Sequence, residues 1–200
     1  MIENKNFEWY IHLPFLSEAQ CDELLTQIKN EGGWVRADVI NPNKNNEVSF
    51  SKYRELDELY LNEEKNKDIK NNYDWILKKL DTIVRLTNNK VWNFNIEKTS
   101  GDFRVLKYNI GNQFKWHSGT DKGFLSLNKI TCLIQLSDPK DFEGGDLHFA
   151  FQNDKEEFFK CPYKKGYLFM FPSFANHMVS ELISGERYIM RETYIGDHFR

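Results

Sequence analysis

The chain predicts an α+β fold in which two helices pack on one side of a β-sandwich or barrel. Three observations predict it. Helical periodicity is confined to the first 90 residues or so, and short apolar runs divided by turn residues fill the rest. Sixteen Phe, nine Tyr and five Trp also suit a β-rich core.

The first helix opens at Ser17, with Gln20 three residues on as a capping box, and Cys21, Leu24, Leu25 and Ile28 share one face. Gly32-Gly33 is the expected stop, and Trp34 to Ile40 reads as a short strand. After Asn41-Pro42 the chain turns polar; 62–72 is almost all Asn, Lys, Glu and Asp and reads as a mobile loop or solvated helix end. Ile76, Leu77, Leu80, Ile83 and Val84 place a second helix at about 72–87. Strands are then expected at Val91 to Ile96, Phe103 to Tyr108, Lys129 to Leu136, Asp146 to Ala150, Tyr167 to Phe171 and Arg187 to Tyr194. The separators include Gly111-Asn112, Asp138-Pro139, Gly144-Gly145 and Ser184-Gly185. We expect one domain over 1–200, with helical support to about residue 90 and the β core from about 91.

Several function classes lose support at once. A formal net charge of −3 gives no bulk basic excess for nucleic acid. No apolar run approaches the roughly 18 residues of a membrane span, and Met1 to Asn6 lacks a secretory leader's apolar stretch. Cys21, Cys132 and Cys161 are scattered and odd in number, which suits reduced thiols in a cytoplasmic setting. No feature sets an oligomeric state.

Of the five histidines, His117 and His177 stand out by context. His117 closes Phe114-Lys115-Trp116-His117, and His177 lies ten residues before Arg187. The ordered set Tyr108-Asn109-Ile110-Gly111, Trp116-His117, Gln135-Leu136-Ser137-Asp138-Pro139, Glu143-Gly144-Gly145-Asp146-Leu147, Phe171-Pro172-Ser173, His177, Gly185-x-Arg187 and Gly196-x-x-Phe199 resembles the Fe(II)/2-oxoglutarate oxygenases. The likeness is to the prolyl-4-hydroxylase-like branch and covers the carboxy-terminal half.

The resemblance implies a double-stranded β-helix, or cupin-like jelly roll, with Fe(II), 2-oxoglutarate and O2 as cofactors. His117 and His177 would be the imidazole ligands. Arg187 would receive the distal carboxylate of 2-oxoglutarate, where a planar fork matches two oxygens, and Tyr108 would add a hydroxyl. Ile189 stands where the family often has a polar helper, so Thr131 or Gln135 is the candidate replacement. Arg191, four residues beyond Arg187, falls on the same strand face and is a candidate for an anionic group of the substrate.

Position 119 departs from the family pattern. The expected carboxylate ligand lies two residues after the first histidine, and this chain reads His117-Ser118-Gly119. Three readings compete. In the first, chloride or bromide fills the gap and the enzyme halogenates an aliphatic carbon, as in the iron halogenases with glycine or alanine here. In the second, Asp121 swings back as ligand through a bulge; in an extended chain it lies about 6.6 Å beyond Gly119. In the third, Gly119 replaces an original aspartate and the natural enzyme is a hydroxylase. A non-catalytic module binding metal and 2-oxoglutarate is the reading of another class. The substrate is a small molecule or a peptidyl residue, with Asn41 to Tyr53 as a candidate lid. Glu143 to Asp146 reads as a turn and not a phosphate cradle, for it lacks the lysine and the following helix.

Overall fold

A computed structural model describes residues 9–37, 39–41, 47–49, 54–121, 123–150 and 158–198, with backbone alone at 39–41, 47–49 and 158. Most of the expected lid, and Phe199 of the closing motif, lie outside the described residues.

The chain opens with β1 (Ile11–Pro14), α1 (Glu18–Lys29) and β2 (Val35–Arg36), then the short strands β3 (Val39–Asn41), β4 (Glu47–Ser49), β5 (Arg54–Glu55) and β6 (Asp57–Tyr60). After α2 (Asp74–Val91) come β7 (Lys98–Thr99), β8 (Arg104–Tyr108), β9 (Gln113–His117), β10 (Asn128–Gln135), β11 (Phe142–Gly144) and β12 (Leu147–Ala150). The last strands are β13 (Phe158–Lys160), β14 (Tyr167–Pro172), β15 (His177–Val179), β16 (Leu182–Gly185) and β17 (Arg187–Ile195).

Two antiparallel sheets carry the fold. The larger runs β1-β14-β10-β17-β8-β6-β2, with β7 added to the end of β17. The smaller runs β13-β12-β15-β9-β5 and faces it as the second wall of a double-stranded β-helix. Strand alternation divides the larger sheet cleanly. Its even-numbered residues on β10, β14 and β17 (Ile130, Cys132, Ile134, Leu168, Met170, Tyr188, Met190, Tyr194) join Cys21, Leu24 and Ile28 of α1 and Ile76, Leu80 and Val84 of α2 in one core. Leu133, Phe169, Phe171 and Ile189, with Leu106 and Tyr108, turn the other way and pack with Leu147, Phe149 and Val179 between the sheets.

The capping box on α1 forms as its sequence predicts: Gln20 N–H donates to Ser17 Oγ, and Ser17 N–H donates to Gln20 Oε1. The helix ends at Asn30, ahead of the Gly-Gly pair expected to stop it. Three expectations change. The second helix runs to Val91, and 91–96 is not a strand. Buried Asn88 sets that end, for its side chain accepts from Phe94 N–H and donates to Phe94 O, and Asn93 takes φ 54° to make the turn. The stretch 62–72 is held in place and not solvated throughout: Glu31, 5% exposed, accepts from the N–H of Lys70 and Asn71 and from the Tyr73 hydroxyl. Trp34 to Ile40 is two short strands rather than one. Segments before residue 91 also contribute strands to both sheets, as well as the helices.

Candidate active site

The two chosen histidines meet. β9 and β15 pair antiparallel with His117 directly opposite His177, and their ring centroids are 4.1 Å apart. In each ring Nδ1 is spent on a carbonyl two residues back, Lys115 O at 2.7 Å and Ala175 O at 2.8 Å. A carbonyl only accepts, so Nδ1 carries the proton and Nε2 keeps its lone pair for a metal. His117 stacks on Phe114 at 3.5 Å, and Phe171 and Phe149 wall His177. Burial pushes the His177 imidazole down to about 4. Burial, then His177 and the Arg54 and Arg191 cations, holds His117 well below its ordinary value. Both rings are therefore neutral near pH 7, the form that ligates.

At the other end of the same interior, Arg187 is 2% exposed. Its Nε donates to Gln135 Oε1 at 3.1 Å and its Nη1 to Gly145 O at 2.7 Å, both neutral acceptors. Tyr163 lies 4.3 Å from the guanidinium by ring centroid, Tyr108 5.7 Å and Phe142 5.8 Å. Tyr108 is Arg187's cross-strand partner on β8. Among the described residues no carboxylate pairs with this cation. A buried, uncompensated guanidinium is costly, and a carboxylate ligand offsets that cost. Gly185, two residues earlier, takes φ 78°, and a Cβ there would meet Asp141 O at 2.1 Å, so the turn that aims Arg187 inward requires glycine.

Sequence reasoning placed Thr131 and Gln135 together as possible helpers; the structure separates them. Gln135 holds Arg187, whereas Thr131 Oγ1 bonds Ser173 Oγ at 2.9 Å beside Gly119. Gly119 N–H donates to Ser173 O, and Gly119 O accepts from Asn128. A Cβ at 119 would lie 3.0 Å from Ser173 O and 3.4 Å from Thr131 Oγ1, so an aspartate needs a shift of a few tenths of an ångström. Asp121 is exposed, and among the described residues no group of three His, Cys, Asp or Glu is placed to hold a metal. The remaining histidines sit elsewhere: His12 stacks on Phe169 at 4.1 Å, His148 is in β12, and His198 bonds Ser126.

Tyr163 and Gly145 escaped the sequence reading. Tyr163 falls between strands, in Cys161-Pro162-Tyr163, and no periodicity marks it. Its hydroxyl donates to Gly145 O at 2.6 Å, the same carbonyl that holds Arg187. The Gly144-Gly145 turn is thus also a wall of the Arg187 box. Not every aromatic near these strands lines the interior: Phe103 packs on the helix side, and Phe174 is exposed.

Residues 103–193 match the model of the 2OG-Fe(II) oxygenase superfamily, a span that holds His117, His177 and Arg187. The chain also superposes, at a TM-score of 0.75, on a prolyl hydroxylase from Trichoplax adhaerens solved with a hypoxia inducible factor peptide. That alignment is 18% identical and covers 95% of this chain and 84% of that one. This is the fold of a 2OG-Fe(II) oxygenase. A Pseudomonas putida prolyl-4-hydroxylase superposes at 0.66, with 15% identity over 94% of this chain and 93% of that one. A PKHD-type hydroxylase of Sphingopyxis alaskensis is 37% identical over 60 residues, 30% of this chain; the chain spans only 26% of that relative's length. The matched family model describes oxygenases that use Fe(II) and 2-oxoglutarate.

Proposed function

We propose that this chain is an Fe(II)- and 2-oxoglutarate-dependent hydroxylase acting on an aliphatic C–H bond of a peptidyl or small-molecule substrate. The observation that carries the reading is one interior holding both halves of such a site. A register-paired His117–His177 has two free Nε2 lone pairs, and a buried Arg187 has no acid partner among the described residues. His117 and His177 would hold the iron through Nε2. Arg187 would hold the distal carboxylate of 2-oxoglutarate, with Gln135 and Gly145 fixing its fork and Tyr108 and Tyr163 flanking it. When bound, the iron, 2-oxoglutarate and O2 together supply the oxidising chemistry: C–H becomes C–OH as 2-oxoglutarate becomes succinate and CO2. The phenylalanine walls at 114, 149 and 171 exclude water from the reacting face.

The relatives are hydroxylases by name, and they favour hydroxylation over halogenation. One observation supports the second reading: Gly119 offers no side-chain donor, so a halide in its place would complete the centre and be transferred to carbon. Oxygen-dependent conversion of 2-oxoglutarate to succinate by the iron-loaded chain tests the enzyme reading against a binding module. Failure to form succinate in a protein that binds both cofactors would leave only the module. Product analysis with chloride present separates hydroxylation from halogenation.

A further inference from the structure

β17 is buried at eight of its nine positions, and the exception is Arg191. Its odd-numbered residues face between the sheets, so Arg191 shares the interior with Arg187, about 13 Å further along the strand. It stands toward the histidines, where two more guanidinium groups converge. Its cross-strand partner on β8, Arg104, shares Glu58 with Arg54, which lies 5.2 Å over Phe114, the ring stacked on His117. Glu58, 2% exposed, is shared between those two: Oε1 accepts from Arg54 and Oε2 from Arg104 at 3.1 Å. Arg104 also donates to the Tyr60 hydroxyl, yet its Nε is buried with no acceptor among the described residues. Asp102 reaches Arg104 only at 3.8 Å.

Arg191 thus lies beside two cations that already share Glu58, one of which also reaches Asp102. Among the described residues no acid is in ion-pair contact with Arg191. Glu192, its neighbour, belongs to the opposite face, where it accepts from Ser100 and Thr193. Burial, with Arg104 and Arg54, lowers Arg191 to about 9, so it remains a cation at neutral pH. A like-charged cluster of this kind is unfavourable in isolation, and an anionic group relieves it. Arg187 is a separate receptor, in its own box at the far end of the strand.

We propose that Arg191, supported by Arg104, is the substrate receptor, and that the substrate carries an oxyanion, carboxylate or phosphate, close to the carbon that reacts. A planar fork suits a two-oxygen acceptor, and partial exposure at this one point of β17 gives the group a way in. The inference rests on the oxygenase reading and narrows its substrate class to anions.

The test uses the full chain loaded anaerobically with Fe(II) and 2-oxoglutarate, with acetate, methyl phosphate and uncharged acetamide as probes in calorimetric titrations at constant ionic strength. Acetate or methyl phosphate saturates the protein, whichever binds tighter naming the oxyanion, and acetamide does not bind. Arg191→Gln weakens the anion about tenfold, the scale of a charged hydrogen bond. Without any anion, the same variant melts at or above the parent temperature, because it removes a repelled cation. Arg191→Lys, which keeps the charge and loses the fork, falls between the two in affinity and covers the case in which Arg191→Gln does not fold. Unchanged anion affinity in the variants, equal binding of acetamide, or no saturable anion binding by the parent overturns the proposal. Failure of the oxygenase reading itself shows separately, as the lack of any 2-oxoglutarate-dependent absorption band on the iron.

Discussion

The two faces of the larger sheet are built to opposite specifications. Toward the helices, β10, β14 and β17 present Ile130, Cys132, Ile134, Leu168, Met170, Tyr188, Met190 and Tyr194, with buried Glu192, a largely apolar surface closed by α1 and α2. Toward the smaller sheet the same strands present Arg187, Arg191, Thr131, Gln135 and Thr193 among the apolar side chains. One residue of strand shift would exchange the two sets. The helix-side face is mostly apolar packing, whereas the inner face sets cations and hydrogen-bonding groups among its apolar side chains, an arrangement that a bound anion would relieve.

That contrast breaks most visibly on the helix side. Leu80 of α2 is wholly buried there. Leu80→Ala should cost about 2–5 kcal/mol of unfolding free energy, measured by denaturant titration, with 2-oxoglutarate affinity per folded molecule unchanged. A parallel loss of affinity would show that the two faces are not independent.

The inner face predicts the reverse pattern. Arg187→Gln should weaken 2-oxoglutarate binding about 100-fold, as two charge-assisted bonds to a carboxylate go, while the ligand-free melting temperature moves little. A variant that unfolds yet binds normally when refolded would make Arg187 a structural cation.

Acid separates the faces by window. In the metal-free protein, His177 titrates at about 4, below the roughly 6.5 of an unfolded histidine. The unfolded chain takes the proton first, so stability is complete above pH 6.5 and falls by on the order of 3 kcal/mol toward pH 4. Burial raises Glu31, but hydrogen bonds from Asn71, Lys70 and Tyr73 outweigh it and hold the carboxyl below its ordinary value. Its contribution is present above the unfolded carboxylate value and lost only as pH falls below it. A stability curve that is flat from pH 6.5 to 5, read by urea unfolding, would contradict the inner-face assignment.

The smallest effect is local. Ser17→Ala removes the cap of α1 and should cost about 1 kcal/mol, with no change in either anion site.

Much of this organisation was legible in the sequence where the signal is local. The capping box at Ser17 and Gln20 and the apolar stripe of α2 are short-range patterns, and the structure forms both; His117 and His177, 60 residues apart, stand out by motif context and lie opposite each other across β9 and β15. What escaped depends on cross-strand registry. Tyr163 reaches Arg187 from an irregular connection, and Glu58 gathers Arg54 and Arg104 from two other strands. The end of α2 was placed too early because the apolar stripe stops at Val84, whereas the buried Asn88 amide holds Phe94 and the helix runs to Val91. Thr131 and Gln135 looked equivalent on one strand face, yet their distance from Arg187 decides which one serves it.

The central claim is that the inner face is a two-histidine iron site joined to an Arg187 carboxylate receptor. Anaerobic titration of the chain with Fe(II) and then 2-oxoglutarate, followed in the visible spectrum, tests it most directly. The account predicts a saturable charge-transfer band that needs both additions and is lost in His177→Ala and weakened in Arg187→Gln. A chloride arm shows whether the Gly119 position takes a halide, and Gly119→Asp should abolish any such response. A chain that binds Fe(II) with no band on adding 2-oxoglutarate, or a band untouched by His177→Ala, would contradict the account.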